Sequence, residues 1–166
     1  MNHIRSCRRD ESKAIHAIIN AAAEAYRDVI PEDCWHDPYM SMGQLESDIA
    51  AGVSFAGYET DGVLIGVMGT QPVRDVDLIR HAYVLPGYQH HGVGSGLILH
   101  LRGLTHRQML VGTWAAADWA IRFYQRHGFE LASPEQQAGL LSSYWTLSDR
   151  QIATSVVLAN PPLSEA

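Results

Sequence analysis

The stretch Val84 to Leu97, VLPGYQHHGVGSGL, holds the residues whose types and spacing best suit chemistry. Gln89, His90, His91, Gly92, Val93, Gly94 and Ser95 lie where a strand gives way to a helix. Two glycines let the backbone approach a ligand closely, and the first amides of the coming helix have no acceptor within it. Those donors and the helix dipole favour an anion, and a phosphate above all. The turn lacks the Gly-Lys-Ser/Thr ending of a nucleoside-triphosphate loop. Nor do the nine histidines suggest a metal. None shows a compact zinc spacing with cysteines or carboxylates, and His90 beside His91 would be strained as two ligands of one ion, so no metal is expected. Cys7 and Cys34 stand in no motif that would make either a nucleophile.

The elements around this turn follow from hydrophobic periodicity. Ile4 and Arg5 begin a short strand, Asp10-Glu11-Ser12 caps a helix, and Ile15, Ile18, Ile19, Ala22 and Tyr26 recur on its apolar face. From Arg27 to Tyr39 the period fails, and Trp35 and Tyr39 fall in an aromatic loop that either lines a pocket or covers the core. Ser41-x-x-Gln44 is a capping box for a helix over Met42 to Ala51. Val53 to Tyr58 and Val63 to Gln71 read as an antiparallel hairpin through Asp61-Gly62, ended by Pro72, with Gly66 and Gly69 marking a bulge or a close approach. Val76 to Val84 is a further strand, with Asp77, Ile79, His81 and Tyr83 expected on one face and Leu78, Arg80, Ala82 and Val84 on the other. Val93 to Leu104 is helical, Met109 to Trp114 a strand, and Ala115 to His127 a helix stopped by Gly128. Strand, turn, helix, strand is a crossover unit, which makes its two strands parallel. A short helix around Leu140 and Leu141, a strand over Thr154 to Leu158 and a polar tail from about residue 160 complete the chain.

Composition narrows the function classes. The 166 residues suit one domain, with its core at about residues 4–158, and a 46% hydrophobic share suits a soluble fold. A net charge of −6 with interleaved signs argues against nucleic-acid binding and mildly favours cationic ligands. No apolar run is long enough to span a bilayer. Two cysteines and no secretory segment suggest a cytoplasmic setting.

The element order, the Gln89-x-x-Gly92-x-Gly94 turn and the later Ala120-Ile121-Arg122-Phe123-Tyr124-Gln125-Arg126-His127-Gly128-Phe129 together resemble the GNAT superfamily of N-acetyltransferases over about Ile4 to Leu158. The two motifs match the family's [QR]-x-x-G-x-[GA] and A-x-x-F-Y-x-x-x-G-F patterns, one helix and one strand apart. The resemblance implies a single α/β domain: a mixed, mostly antiparallel twisted sheet flanked by helices, with a parallel, splayed strand pair at the cofactor site. It also implies acetyl-CoA as acyl donor, an amine acceptor that is a small molecule or a peptide, and direct attack in a ternary complex. It leaves open a homodimer and a catalytically silent acyl-CoA-binding module.

Residue by residue, the resemblance assigns Gln89, His90, His91, Gly92, Val93, Gly94 and Ser95 to the pyrophosphate, Tyr83 and Val84 to the pantetheine arm, and Tyr124 to protonation of the departing thiolate. The aromatic loop makes Trp35 and Tyr39 the candidates for acceptor binding. Removal of the amine proton needs a base, and His81, with an ordinary pKa near 6.5, suits that task, with Asp77 as the alternative. Many relatives carry Asn where this chain has Ala117, so an Asn contact to the cofactor is not expected, although Asp118 is adjacent.

Overall fold

A computed structural model describes residues 1–164. Its centre is a seven-stranded sheet in the order β1-β2-β3-β4-β5-β7-β6, formed by Asn2–Ser6 (β1), Ser54–Thr60 (β2), Val63–Val73 (β3), Val76–Val84 (β4), Gln108–Trp114 (β5), Glu130–Leu131 (β6) and Ser155–Asn160 (β7). Among the described residues only β4 and β5 pair parallel, as the crossover unit requires. Helices cover both faces: Ser12–Ala23 (α1) and Met42–Ala50 (α2) on one, Val93–Gly103 (α3) and Asp118–Arg126 (α4) on the other. Pro134–Tyr144 (α5) and Asp149–Ala153 (α6) lie against the β7 end.

Among the described residues three apolar clusters result, one under α1 and α2, one under α3 and α4, and a third in which Val76, Leu78, Leu110 and Val157 pack with Leu141 of α5. Ile15, Ile18 and Ile19 of α1 pack with Leu45, Phe55 and Val67, whereas Val93, Leu97, Ile98 and Leu101 of α3 pack with Met68, Ile79, Tyr124 and Phe129. Each helix buries most of the stripe that its spacing marks as apolar, but α1 ends at Ala23, which leaves Tyr26 in the following turn, and Leu104 lies past the end of α3 and is exposed. Glycines allow the close fit expected of them: a Cβ on Gly66 would lie 2.7 Å from Val93 Cγ1, and one on Gly69 would lie 2.8 Å from the Arg80 carbonyl.

Several expectations need correction. β3 continues through Pro72 to Val73, because Pro72 lies beyond the last residue paired with β2 and its missing N–H deprives no ladder there. The alternation expected along β4 breaks at a bulge between the Val67–Tyr83 and Gly69–Arg80 pairs, where His81 adopts a left-handed φ of +56°. Ile79 therefore packs on the α3 side with Ala82 and Val84, while Tyr83 faces α1 and both Arg80 and His81 reach Asp48 of α2. The helix expected from Ala115 starts at Asp118, since the Ala115 amide extends the sheet by bonding the Thr154 carbonyl at 2.8 Å. α5 is longer than the short helix expected, and α6 is an addition; its Ser148-x-x-Gln151 capping box is visible in the sequence. The last strand reaches Asn160, two residues beyond Leu158, and residues 165 and 166 of the expected polar tail lie outside the described residues.

Candidate active site

Pairing between β4 and β5 stops at Ile79 opposite Val111, and beyond it the two strands diverge. On its far side β5 stays paired to β7 as far as Trp114. The divergence opens a cavity of about 600 Å3 whose lining draws on both faces of the sheet. From the α3 side come Val84, Gln89, His90, Gly92, Val93, Gly94, Ser95, Phe123 and Tyr124. From the α1 side come Ala22, Ala25, Tyr26, His81 and Tyr83.

The glycine turn has the geometry its sequence suggests. Gly92 caps α3 with φ +83°, in the region that favours glycine, and a Cβ there would meet nothing within 4 Å. The first α3 bond runs from the Gly96 amide to the Gly92 carbonyl at 2.9 Å, so the amides of Val93, Gly94 and Ser95 precede any intrahelical acceptor. Gly94 serves a different purpose. A Cβ there would lie 3.2 Å from the Phe123 ring, so its glycine lets α4 close over the start of α3. Ser95 Oγ and His127 Nε2 are 3.0 Å apart and join the same two helices. Burial first, then the neighbouring Arg126 charge, lowers the His127 pKa and favours the neutral ring. His91 does not line the cavity and is exposed.

Tyr124 is buried on α4, edge-on to Phe123 and Phe129 at 5.1 and 5.6 Å. Burial, then the nearby Tyr26, pushes its pKa far above the ordinary value, so its phenol stays protonated. Burial and Tyr39 likewise push Tyr26 up to about 12, and burial holds Tyr83 well above 10. The α1-side aromatic wall therefore consists of neutral phenols. Tyr26 is edge-on to Tyr83 at 6.3 Å and reaches across the split to Trp119 at 5.5 Å.

Trp35 and Tyr39, expected at the acceptor, are absent from the cavity lining. They stand behind it. Tyr39 stacks on Tyr26 at 6.0 Å and accepts a 3.1 Å hydrogen bond from Trp114 Nε1, while Trp35 packs on Tyr39 at 5.5 Å beneath the Arg27 guanidinium. Asp77 is also removed from the cavity: it lies at the opposite end of β4, buried, with Arg107 Nε 3.4 Å away. Ala117 is fully buried, and Asp118 is exposed outside the lining. Tyr26, Trp119, Arg122 and Arg126 line the cavity without having been singled out as site residues. Tyr26 carried a signal only as a core position of α1, and the others lie on α4 within the second motif or just before it. Among the described residues no Asp or Glu lines the cavity, so the cationic preference drawn from net charge has no counterpart in the walls they form. Among the described residues no cluster of metal-ligating side chains occurs.

The mixed sheet that splits at its parallel pair, with a glycine turn and helix N-terminus at the mouth of the split, belongs to a fold that the chain shares with solved acetyltransferases. Residues 51–131 match the family model described as an acetyltransferase (GNAT) domain. The fold is shared with PaiA N-acetyltransferase from Thermoplasma acidophilum, solved with coenzyme A, at TM-score 0.73 and 15% identity over 96% of this chain and 98% of that one. The Escherichia coli ribosomal-protein-S18-alanine N-acetyltransferase superposes at TM-score 0.67 and 22% identity, covering 100% and 96% of the two chains. YncA from Salmonella typhimurium, solved with acetyl-CoA, gives 0.65 and 19% over 96% and 92%. No curated protein sequence matches the chain.

Proposed function

We propose that the protein is an acetyl-CoA-dependent N-acetyltransferase that moves the acetyl group to a primary amine by direct attack in a ternary complex. The observation that carries this reading is the split between β4 and β5, with free α3 amides at its mouth and a buried protonated tyrosine at its wall. Structural neighbours solved with coenzyme A or acetyl-CoA support the choice of donor.

The amides of Val93, Gly94 and Ser95, with the helix dipole, hold the pyrophosphate, and Gln89, His90 and Gly92 border it. Arg122 and Arg126 line the same cavity and supply positive charge to the phosphates. The edge of β4 from Arg80 to Val84 has no strand partner on its β5 side, so its backbone groups pair with the pantetheine amides as an added strand would. The amine nitrogen then attacks the thioester carbonyl, forming a C–N bond as the C–S bond breaks. The amine proton passes to His81, directly or through water, and the Tyr124 phenol gives its proton to the departing thiolate. Tyr26 and Tyr83 border the acceptor, with Tyr39 and Trp35 holding the Tyr26 ring in place.

The test is CoA release from acetyl-CoA in the presence of amino-acid amides, polyamines, arylalkylamines and short peptides, with the product mass recorded. An amine heavier by one acetyl group, formed in step with free CoA, supports the reading. Acetyl-CoA binding without transfer to any of them favours a catalytically silent acyl-CoA-binding module.

A further inference from the structure

We propose that Asp48 is a positioning residue for acyl transfer: its carboxylate fixes the tautomer and direction of the His81 ring and so leaves Nδ1 to take the amine proton. The inference rests on the reading of this cavity as an acetyltransferase site with His81 as its base.

Asp48 is a buried acid in α2, far in sequence from both cavity motifs. A carboxylate out of water is costly unless its oxygens are met by donors, and here they are. Gln44 Nε2 donates to Oδ1 at 2.9 Å, His81 Nε2 lies 2.8 Å from Oδ2, and Arg80 lies 3.5 Å from Oδ2. Burial acts to raise the Asp48 pKa, but the His81 hydrogen bond, the Arg80 charge and the Gln44 hydrogen bond outweigh it, and the acid is held ionised below its ordinary range. An ionised carboxylate only accepts, so the hydrogen between the two groups belongs to His81 Nε2. In the neutral ring Nδ1 is then the bare acceptor.

The backbone is arranged around the same contact. A regular β4 would place His81 on the α3 face with Ile79; the bulge, with its left-handed His81, puts the ring beside Asp48 instead. A non-glycine residue persists in such a conformation only when its surroundings over-determine it. Two groups meet the ring, Asp48 on Nε2 and the Phe55 ring stacked at 6.1 Å, while Arg80, tied to Gln71 Oε1 at 2.8 Å, lies 3.5 Å from the same Asp48 oxygen. His81 still lines the cavity, and among the described residues no group bonds its Nδ1. Gln44 adds to the case. Its position after Ser41 suits a capping box, yet its side chain turns to Asp48 and leaves Ser41 Oγ to cap the helix alone, accepting from the Gln44 amide at 3.1 Å.

A purely structural tie between α2 and β4 would affect stability alone, whereas a positioning role affects the chemical step. Asp48→Asn keeps the shape and offers His81 an amide N–H that draws the ring proton to Nδ1. The full chain is assayed with acetyl-CoA and the fastest amine of the panel above. The expected result is a fall in kcat of about 10²-fold or more with the KM for acetyl-CoA little changed, and no further loss when Asp48→Asn is added to His81→Gln. Wild-type kcat in Asp48→Asn, or an equal further loss in the His81→Gln background, overturns the proposal. Nitrogen NMR of 15N-histidine-labelled wild-type protein supplies a reading that needs neither acceptor nor variant. It is expected to show His81 protonated at Nε2, and a neutral ring protonated at Nδ1 overturns the assignment of Asp48. Failure of the wild-type chain to acetylate any amine defeats the functional reading instead, and the tautomer then still decides what Asp48 does to His81.

Discussion

The two sides of the β4–β5 split are built from different material. On the α3 side the groups that the proposed function assigns to recognition are backbone: the amides of Val93, Gly94 and Ser95 behind Gly92 and the edge of β4 beyond its pairing with β5. On the α1 side the proposal relies on side chains from separate parts of the chain: Tyr26 from the turn after α1 and His81 and Tyr83 from the bulged half of β4 line the cavity, and Asp48 of α2 stands behind His81. Main-chain donors at a helix start come with the fold and tolerate many side chains, so a pyrophosphate can be held by a short local pattern. A proton acceptor and an acceptor wall need particular atoms, and those atoms are assembled through tertiary packing. Under the proposed function, the difference separates a side that other acyl-CoA enzymes of this fold can share from a side that sets the individual reaction.

The largest effect is expected of Tyr124→Phe. The ring and its contacts with Phe123 and Phe129 remain while the proton donor is removed. Single-turnover rate is expected to fall about 10²-fold with acetyl-CoA affinity nearly unchanged. A stable, fully active Phe variant would make Tyr124 a packing residue.

The next effect belongs to the backbone side. Gly92→Val places a branched side chain at φ +83° in space open to the turn, and calorimetry is expected to show acetyl-CoA affinity reduced about tenfold or more. Gly94→Val is a poorer probe of the phosphate site. Its Cβ would press on Phe123 at 3.2 Å, so a loss of melting temperature is expected together with any loss of affinity.

Trp119→Ala sharpens the other side. Loss of the Tyr26–Trp119 contact, at about 0.5–1.5 kcal/mol for an aromatic pair, is expected to raise the acceptor KM a few-fold and leave acetyl-CoA affinity largely intact. An equal change in both constants would mean that the ring serves the cofactor.

The smallest effect is a control placed away from the split. Arg5 grips both Glu11 oxygens at 2.8 Å and bonds Glu59 at 2.8 Å, tying β1 and β2 to the start of α1. The Arg5 hydrogen bonds outweigh burial and hold the Glu11 carboxyl at about 2. Because that pKa is lower folded than unfolded, the stabilisation is present above about 4.5 and is lost as pH falls toward 2. Glu11→Gln is therefore expected to lower Tm at neutral pH, to converge with wild type near pH 2, and to leave kcat unchanged. A drop in kcat would mean that the tie reaches the site.

What was legible in the sequence divides along the same line. The glycine turn, the crossover and the two apolar helix stripes depend on neighbours within a turn or a strand, and local spacing carries them. The bulge at His81 does not announce itself, because the residues of β4 alternate as a regular strand would and the extra residue is seen only in the register with β3. Asp48 and Tyr26 read as an ordinary polar residue and an ordinary core residue. The proposal gives them roles through contacts that only the fold makes, 33 positions apart for Asp48 and His81, and across the split for Tyr26 and Trp119. Trp35 and Tyr39 illustrate the converse: an aromatic loop suggests a pocket wall, yet the rings are used one layer back, as support.

Whether the backbone side of the split is the acyl-CoA site is decided by titrating uniformly 15N-labelled protein with acetyl-CoA and following the amide spectrum. The account expects the largest shifts at Val93, Gly94 and Ser95, whose free N–H groups gain phosphate acceptors, followed by the β4 amides from Arg80 to Val84. A spectrum that stays unchanged at saturating acetyl-CoA, or one whose shifts gather away from the α3 start and β4, would contradict it.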